Sequence, residues 1–225
     1  PDQLDEVNLL KTHGKVIANN NRNDALNLAS KKKYKLAILD DGLQQKNINY
    51  NLKIVCFNTE DELGNEYLLP AGPLRESINQ LKEYDIAFLN GNKKNNNLYL
   101  KLQSINKNLK IFKGSYKPTN LKKFDLGKKY LMFCGIGNPH EFEKTLIKNK
   151  FSIKEKIIYP DHYKIPINEL NRLKIKARNE DLSLITTEKD FLRLNRSERK
   201  NIKFLQIKLE IKDIKNFKKI LITKI

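Results

Sequence analysis

Short, almost wholly apolar runs recur along this chain, each followed by polar or helix-patterned sequence, and that alternation restricts its fold more than any other feature. GKVIAN (14–19), YKLAILD (34–40), LKIVCFN (52–58) and YDIAFLN (84–90) are strand-length and read as strands. Residues 3–12 and 23–33 read as helices, the second with Asn23 or Asp24 as its N-cap. Alternation of this kind implies a parallel sheet with crossover helices. Nearly continuous apolar strands fit a sheet buried on both faces.

After a polar loop, NGNKKNNN (90–97), the segments LYLKLQ (98–103) and LKIFKGSY (109–116) look like a more exposed pair of strands, leading into the polar KPTNLKKFD. A second alternating unit starts near residue 128. KYLMFCGI, FSIKEKIIY, LSLITT and IKFLQIKLEI read as its strands. PHEFEKTLIKNK, INELNRLKIKAR and the closing DIKNFKKILITK read as its helices. The expected organisation is a core at 1–97, a β-strand linker at 98–126 and an α/β domain at 127–225, with the last helix returning to the core.

Composition limits the function classes. Lys and Arg total 44 against 26 Asp and Glu, a net charge of +18, which favours anionic partners such as nucleotides, nucleic acid or an anionic lipid leaflet. Most of the excess is lysine in polar surroundings, as in KKK at 31–33 and KK at 93–94, and reads equally as solvated surface. The chain has no tryptophan, no arginine-rich stripe and no aromatic ribonucleoprotein motif, so nucleic acid is not the expected partner. Cys56 and Cys134 sit in apolar runs outside any Cys-x-x-Cys pair and read as small core residues. No run approaches the roughly 18 apolar residues of a membrane span.

Four local patterns carry chemistry. LAILDDGLQQ (36–45) ends an apolar run in two adjacent carboxylates before a glycine, which fits either an Asp-Gly turn or a cation and phosphate site at a strand's carboxyl end. YLLPAGPLRES (67–77) is a proline-stiffened loop ending in Arg75-Glu76, either a connector with an ion pair or a fork for a phosphate or carboxylate. YPDHY (159–163) places an Asp-His pair after a strand, an idle loop histidine or a proton relay. TTEKDFLRL (186–194) opens a helix whose amino terminus is either capped or open to an anion. HGKV (13–16) lacks the glycine and hydroxyl residue of a phosphate loop.

Taken in order, DDGLQQ, GNEYLLPAGPLRES, YDIAFLNG, FCGIGNPHEF, YPDHY and ITTEKD resemble the tetraacyldisaccharide 4'-kinase family, the lipid A 4'-kinases, from about residue 5 onward. The resemblance implies an α/β fold: a P-loop NTPase-like parallel sheet with helices on both faces, joined by a β-strand linker to a smaller α/β domain. It implies transfer of the ATP γ-phosphate, with Mg²⁺, to the 4'-hydroxyl of a tetraacylated glucosamine disaccharide, the lipid A precursor. The site it implies is the cytoplasmic face of the inner membrane, on an anionic surface, with the protein a monomer held peripherally or by an upstream anchor.

By the same resemblance, Asp40 and Asp41 are the carboxylates near Mg²⁺ and the phosphates, joined by Arg22. Asp5 is the general base and His162 the histidine that pairs with it. Gln44, Arg75 and Glu76 face the substrate. Three departures stand beside this. The phosphate loop does not appear in the chain as given, which is therefore expected to be inactive by itself. Gln45 stands where the family has histidine, and Leu4 replaces the glycine before Asp5, leaving Asp2 as a competing base. A kinase of another lipid or sugar on the same scaffold, and a non-catalytic anion- or nucleic-acid-binding protein, are the alternatives.

Overall fold

The computed structural model describes residues 4–91, 93 and 96–224; within helix α1 the side chains of Leu4, Asp5, Glu6 and Asn8 lie outside that description, as does Asp2. The chain divides into two compact units. One comprises residues 19–117 with 208–225, and the other residues 1–18 with 118–207.

The first of these is built on a four-stranded sheet in the order β1 (Ile54–Asn58), β2 (Ile86–Asn90), β3 (Lys110–Pro118), β8 (Ile207–Ile211). β1, β2 and β3 run parallel, Ile54 opposite Ile86 and Ile86 opposite Lys110. Every residue of IAFL in β2 is buried because alternate side chains enter two different cores. Ala87 and Leu89 pack with Leu81, Leu98, Leu102 and Leu109. Ile86 and Phe88 pack with Phe112 and Ile220. Phe217 of helix α7 (Ile214–Lys224) meets Phe88 and Phe112 edge-on, at ring distances of 6.4 and 5.1 Å. Helix α2 (Arg22–Lys31) starts from Asn21, whose side chain accepts the Asn23 N–H, so the cap falls two residues before the nearer expected one.

The second unit holds a wholly parallel sheet, β5 (Ser152–Ile158), β4 (Lys129–Cys134), β6 (Leu182–Thr187), β7 (Ile202–Leu205). β4 runs through its centre. Tyr130, Met132 and Cys134 face Phe142 and Leu146 of helix α4 (Pro139–Lys148), while Leu131 and Phe133 face Leu170, Leu173 and Ala177 of helix α5 (Ile167–Asn179). Each fully buried Leu or Phe here contributes about 1.5–3 kcal/mol of transfer free energy. Helix α1 (Leu4–Lys11) lies against helix α6 (Glu188–Arg193) in this unit.

Several local expectations are corrected. Residues 98–103 form part of a helix, α3 (Asn96–Ile105), not a strand. The leucines at 98, 100 and 102 suggest period two, yet Leu98 and Leu102 are one helical turn apart and share the core, while Leu100 is 63% exposed. GKVIAN and YKLAILD form no strand. Ile38 is 89% exposed, and among the described residues nothing pairs beyond β1 at the sheet's edge; apolar composition without a ladder partner does not make a strand. IKFLQIKLEI is two strands in different sheets, divided at Gln206, whose N–H turns to the Asn120 side chain. Cys134 is buried as expected, but Cys56, on edge strand β1, is exposed.

Candidate functional site

The acidic corner lies in the unit of residues 19–117 and 208–225. Asp41 holds a left-handed φ of +49°, a conformation that costs a non-glycine residue energy and persists only when its surroundings impose it. Arg22, the first residue of α2, imposes it by donating from Nη2 to the carbonyls of Asp40 (3.0 Å) and Asp41 (2.9 Å). Gly42 is buried beneath, where a Cβ would come within 2.8 Å of the Leu39 Cβ; the Tyr50 hydroxyl donates to its carbonyl. With the backbone held this way, the Asp41 carboxylate turns outward and Arg75 Nη1 meets it at 2.7 Å.

Around the corner, Glu76 accepts a short hydrogen bond from the Tyr84 hydroxyl; burial, then this bond, pushes the Tyr84 phenol well above its ordinary pKa. Gln44 is exposed on the same loop, and Gln45 turns its Oε1 into the protein, where it finds no partner among the described residues. Arg75 itself leaves a loop closed by backbone hydrogen bonds, Leu69 N–H to the Leu74 carbonyl at 2.9 Å and Leu74 N–H to the Tyr67 carbonyl at 3.1 Å, which fixes where its side chain starts. The structure thus brings Arg22, Asp40, Asp41 and Arg75 together, with Glu76 next in the chain.

In the unit of residues 1–18 and 118–207, three segments far apart in sequence meet at His162. Its φ is +61°, so that, like Asp41, it is one of eight left-handed non-glycine residues among those described. The His162 N–H reaches the Gly135 carbonyl (3.3 Å) and Asp161 Oδ1 (2.9 Å). Arg193 Nη2 stands 3.2 Å from its Nδ1, and Lys189 Nζ and Asp161 Oδ2 stand 3.5 and 3.7 Å from its Nε2. Arg193 Nη1 also donates to the Gly135 carbonyl (2.8 Å) and Asp190 Oδ1 (2.7 Å). The other Asp190 oxygen accepts from Gly135 N–H (3.1 Å) and the Thr187 hydroxyl (2.7 Å). A Cβ at Gly135 would sit 3.1 Å from the Pro160 carbonyl oxygen, a tight approach that favours glycine there.

Asp5 lies on α1, the helix that packs on α6, the element carrying Lys189 and Arg193; the Asp5 side chain itself is outside the described residues. The amino terminus of α6 is capped internally, Thr187 Oγ1 accepting Asp190 N–H at 3.1 Å, so it is a cap and not an anion site. The residues that sequence reasoning passed over are Asp190, Arg193, Tyr50 and Tyr84. Two signals for the first pair were present in TTEKDFLR: a Thr-x-x-Asp capping pattern and an Asp-x-x-Arg spacing that puts both charges on one helix face.

Among the described residues, no group of three or more His, Cys, Asp or Glu side chains gathers as a metal cage. The adjacent carboxylates of Asp40 and Asp41, both exposed, suit a hard cation that keeps several waters and takes one or two carboxylates together with phosphate oxygens, as Mg²⁺ does. No helix among the described residues is long and apolar enough to cross a membrane.

Comparison with known proteins gives a consistent result. The family described as tetraacyldisaccharide-1-P 4'-kinase matches residues 3–225. A tetraacyldisaccharide 4'-kinase of Pelagibacter ubique is 42% identical over 217 residues, covering 96% of this chain and 69% of that protein. Those of Rickettsia bellii and Rickettsia akari are 35% and 34% identical, each over 92% of this chain and 63% and 62% of their own lengths. The chain therefore spans 62 to 69% of the length of these relatives. The solved structure of the Aquifex aeolicus enzyme LpxK in complex with ATP superposes with a TM-score of 0.60 over 89% of this chain and 61% of that one, at 23% identity, and shares its fold.

Proposed function

Because this chain belongs to the tetraacyldisaccharide-1-P 4'-kinase family, we propose that the protein carrying it transfers the γ-phosphate of ATP to the 4'-hydroxyl of a tetraacylated glucosamine disaccharide in lipid A synthesis. The observation that carries the reading is the Asp40–Asp41 corner: two outward carboxylates on a backbone held in a costly conformation by Arg22, with Arg75 within reach.

Phosphoryl transfer asks a protein mainly to position the reactants and to neutralise developing charge. Asp5 accepts the proton of the attacking hydroxyl, and His162 holds and orients that base. Asp40 and Asp41 would hold Mg²⁺, which when bound offsets negative charge on the phosphoryl oxygens. Arg22 keeps the acidic corner in shape and adds positive charge beside it. Arg75 can exchange its exposed partner for a substrate anion, and Glu76, braced by Tyr84, accepts hydrogen bonds from sugar hydroxyls, as Gln44 can from its loop. Net charge of +18 favours peripheral attachment to an anionic leaflet, the cytoplasmic face of the inner membrane, by a monomer.

The test is incubation of the complete gene product with γ-labelled ATP and a panel of acceptors: the tetraacyldisaccharide 1-phosphate, a monoacylated glucosamine, a free disaccharide and a diacylglycerol. Label is expected on the 4' position of the tetraacylated disaccharide and to depend on added Mg²⁺. Preferential labelling of any other acceptor overturns the reading.

A further inference from the structure

We infer that Arg193, pinned by Asp190, is a positioning residue that fixes the ring of His162 with Nδ1 as acceptor and the ring proton on Nε2, a role that rests on the reading of His162 given above. Guanidinium only donates, so the nitrogen that Arg193 Nη2 meets at 3.2 Å must present a lone pair. Lys189 Nζ, also only a donor, stands off Nε2 at the longer 3.5 Å, so the closer Arg193 contact takes the ring's one lone pair, and the neutral ring carries its proton on Nε2, the nitrogen facing the Asp161 carboxylate.

What makes this more than a passing contact is the anchoring of the guanidinium. The Arg193 and Asp190 side chains are 8% and 5% exposed, and their 2.7 Å contact is one of four hydrogen bonds that also fix both polar groups of the Gly135 backbone and the Thr187 hydroxyl. A planar fork held at Nη1 by two acceptors has little freedom at Nη2. Swinging it toward solvent would strand a buried carboxylate. On the backbone side, the left-handed His162 is tied to the same Gly135 carbonyl that Arg193 holds. One buried pair therefore sets both the position of the imidazole and its tautomer. Among the described residues, the charged groups facing the ring are Arg193 at Nδ1 and Lys189 and Asp161 at Nε2.

The chemical consequence is specific. An imidazole that steadies a catalytic carboxylate must offer it an N–H; a lone pair in that place would repel it. With Nδ1 committed to Arg193, Nε2–H is the donor on offer. The sequence GIG (135–137), the histidine of YPDHY and the Asp-x-x-Arg of EKDFLR are joined for that purpose.

Long-range ¹H–¹⁵N correlation on the labelled 225-residue chain reads the ring directly, with His13 and His140 as internal references. His162 is expected as a single Nε2–H tautomer, and Arg193→Lys, which keeps a cation beside Asp190 but loses the fork, is expected to return it toward the mixture shown by the other two. A His162 that already matches His13 and His140, or that carries its proton on Nδ1, overturns the inference from the unmodified chain alone, whatever the folding of the variant. A spectrum unchanged by Arg193→Lys in a folded variant also overturns it. In the complete gene product the same variant is expected to lower kcat about 10- to 100-fold with KM for ATP little changed. A fixed tautomer lost in the variant with unchanged kcat upholds the ring assignment and removes His162 from the proposed reaction.

Discussion

Two arginine–carboxylate contacts in this molecule have the same length, 2.7 Å, and opposite surroundings. Arg193–Asp190 is sealed in the interior of one unit, while Arg75–Asp41 in the other has side chains 57% and 67% exposed. The buried contact cannot be given up: breaking it strands a charge in a low-dielectric interior, whereas an exposed pair contributes little because water and salt compete for both partners. Identical geometry therefore supports two uses. The sealed pair is a strut that fixes the loop bearing His162, and the open pair is an exchangeable contact whose partners are available to ligands. Distance alone would have equated them.

The contrast extends to the cysteines, and there the largest effect is expected. Burial, followed by the Asp190 and Glu143 carboxylates, pushes the Cys134 thiol up to about 12, so at pH 8 almost none of it is thiolate. The Cys56 thiol is also raised, by burial first and Asp40 second, but stands exposed on its strand. Iodoacetamide at pH 8 is expected to modify Cys56 at least about 10²-fold faster than Cys134 in the native chain, measured by peptide mass spectrometry. Equal rates would mean that the interior around β4 is open to solvent.

Next comes the strut itself. Arg193→Ala is expected to destabilise its unit by about 3–5 kcal/mol, read from the shift of its urea transition; a loss under about 1 kcal/mol would place the pair in the same class as the exposed one. In the other unit, Leu102→Ala is expected to cost about 2–5 kcal/mol and the neighbouring Leu100→Ala less than about 1, since only the first leaves a cavity. Similar costs for the two would argue for the period-two arrangement that the sequence suggests. The smallest effect belongs to Arg75→Ala: stability is expected to change by about 1 kcal/mol or less, and by less still in high salt. Any loss of function in that variant would then appear as a higher KM for the disaccharide in a protein that remains folded.

How much of this was legible beforehand follows the same division. β2 and β4 could be read because burial on both faces leaves an unbroken apolar run. The helices α4 and α5 could be read because their buried residues recur at helical spacing. The leucines of α3 fit two periods, and only packing against Leu81 and Leu109 decides between them. YKLAILD has the composition of a strand without a ladder, and a ladder is a property of the neighbour. At the site, Asp40, Asp41 and Arg75 stood out as charged residues in rigid loops. The link from Arg193 to Gly135 spans 58 positions and joins a helix to a strand end, so it exists only in the folded chain.

In the proposed reaction, the unit of residues 19–117 and 208–225 carries the acidic corner, and the base and the histidine that steadies it belong to the other unit. The most direct measurement is turnover of γ-phosphate transfer to the tetraacylated disaccharide by the complete gene product carrying Asp5→Ala. A fall of about 10² to 10⁴ in kcat with a modest change in KM is expected; transfer at the unmodified rate would contradict it.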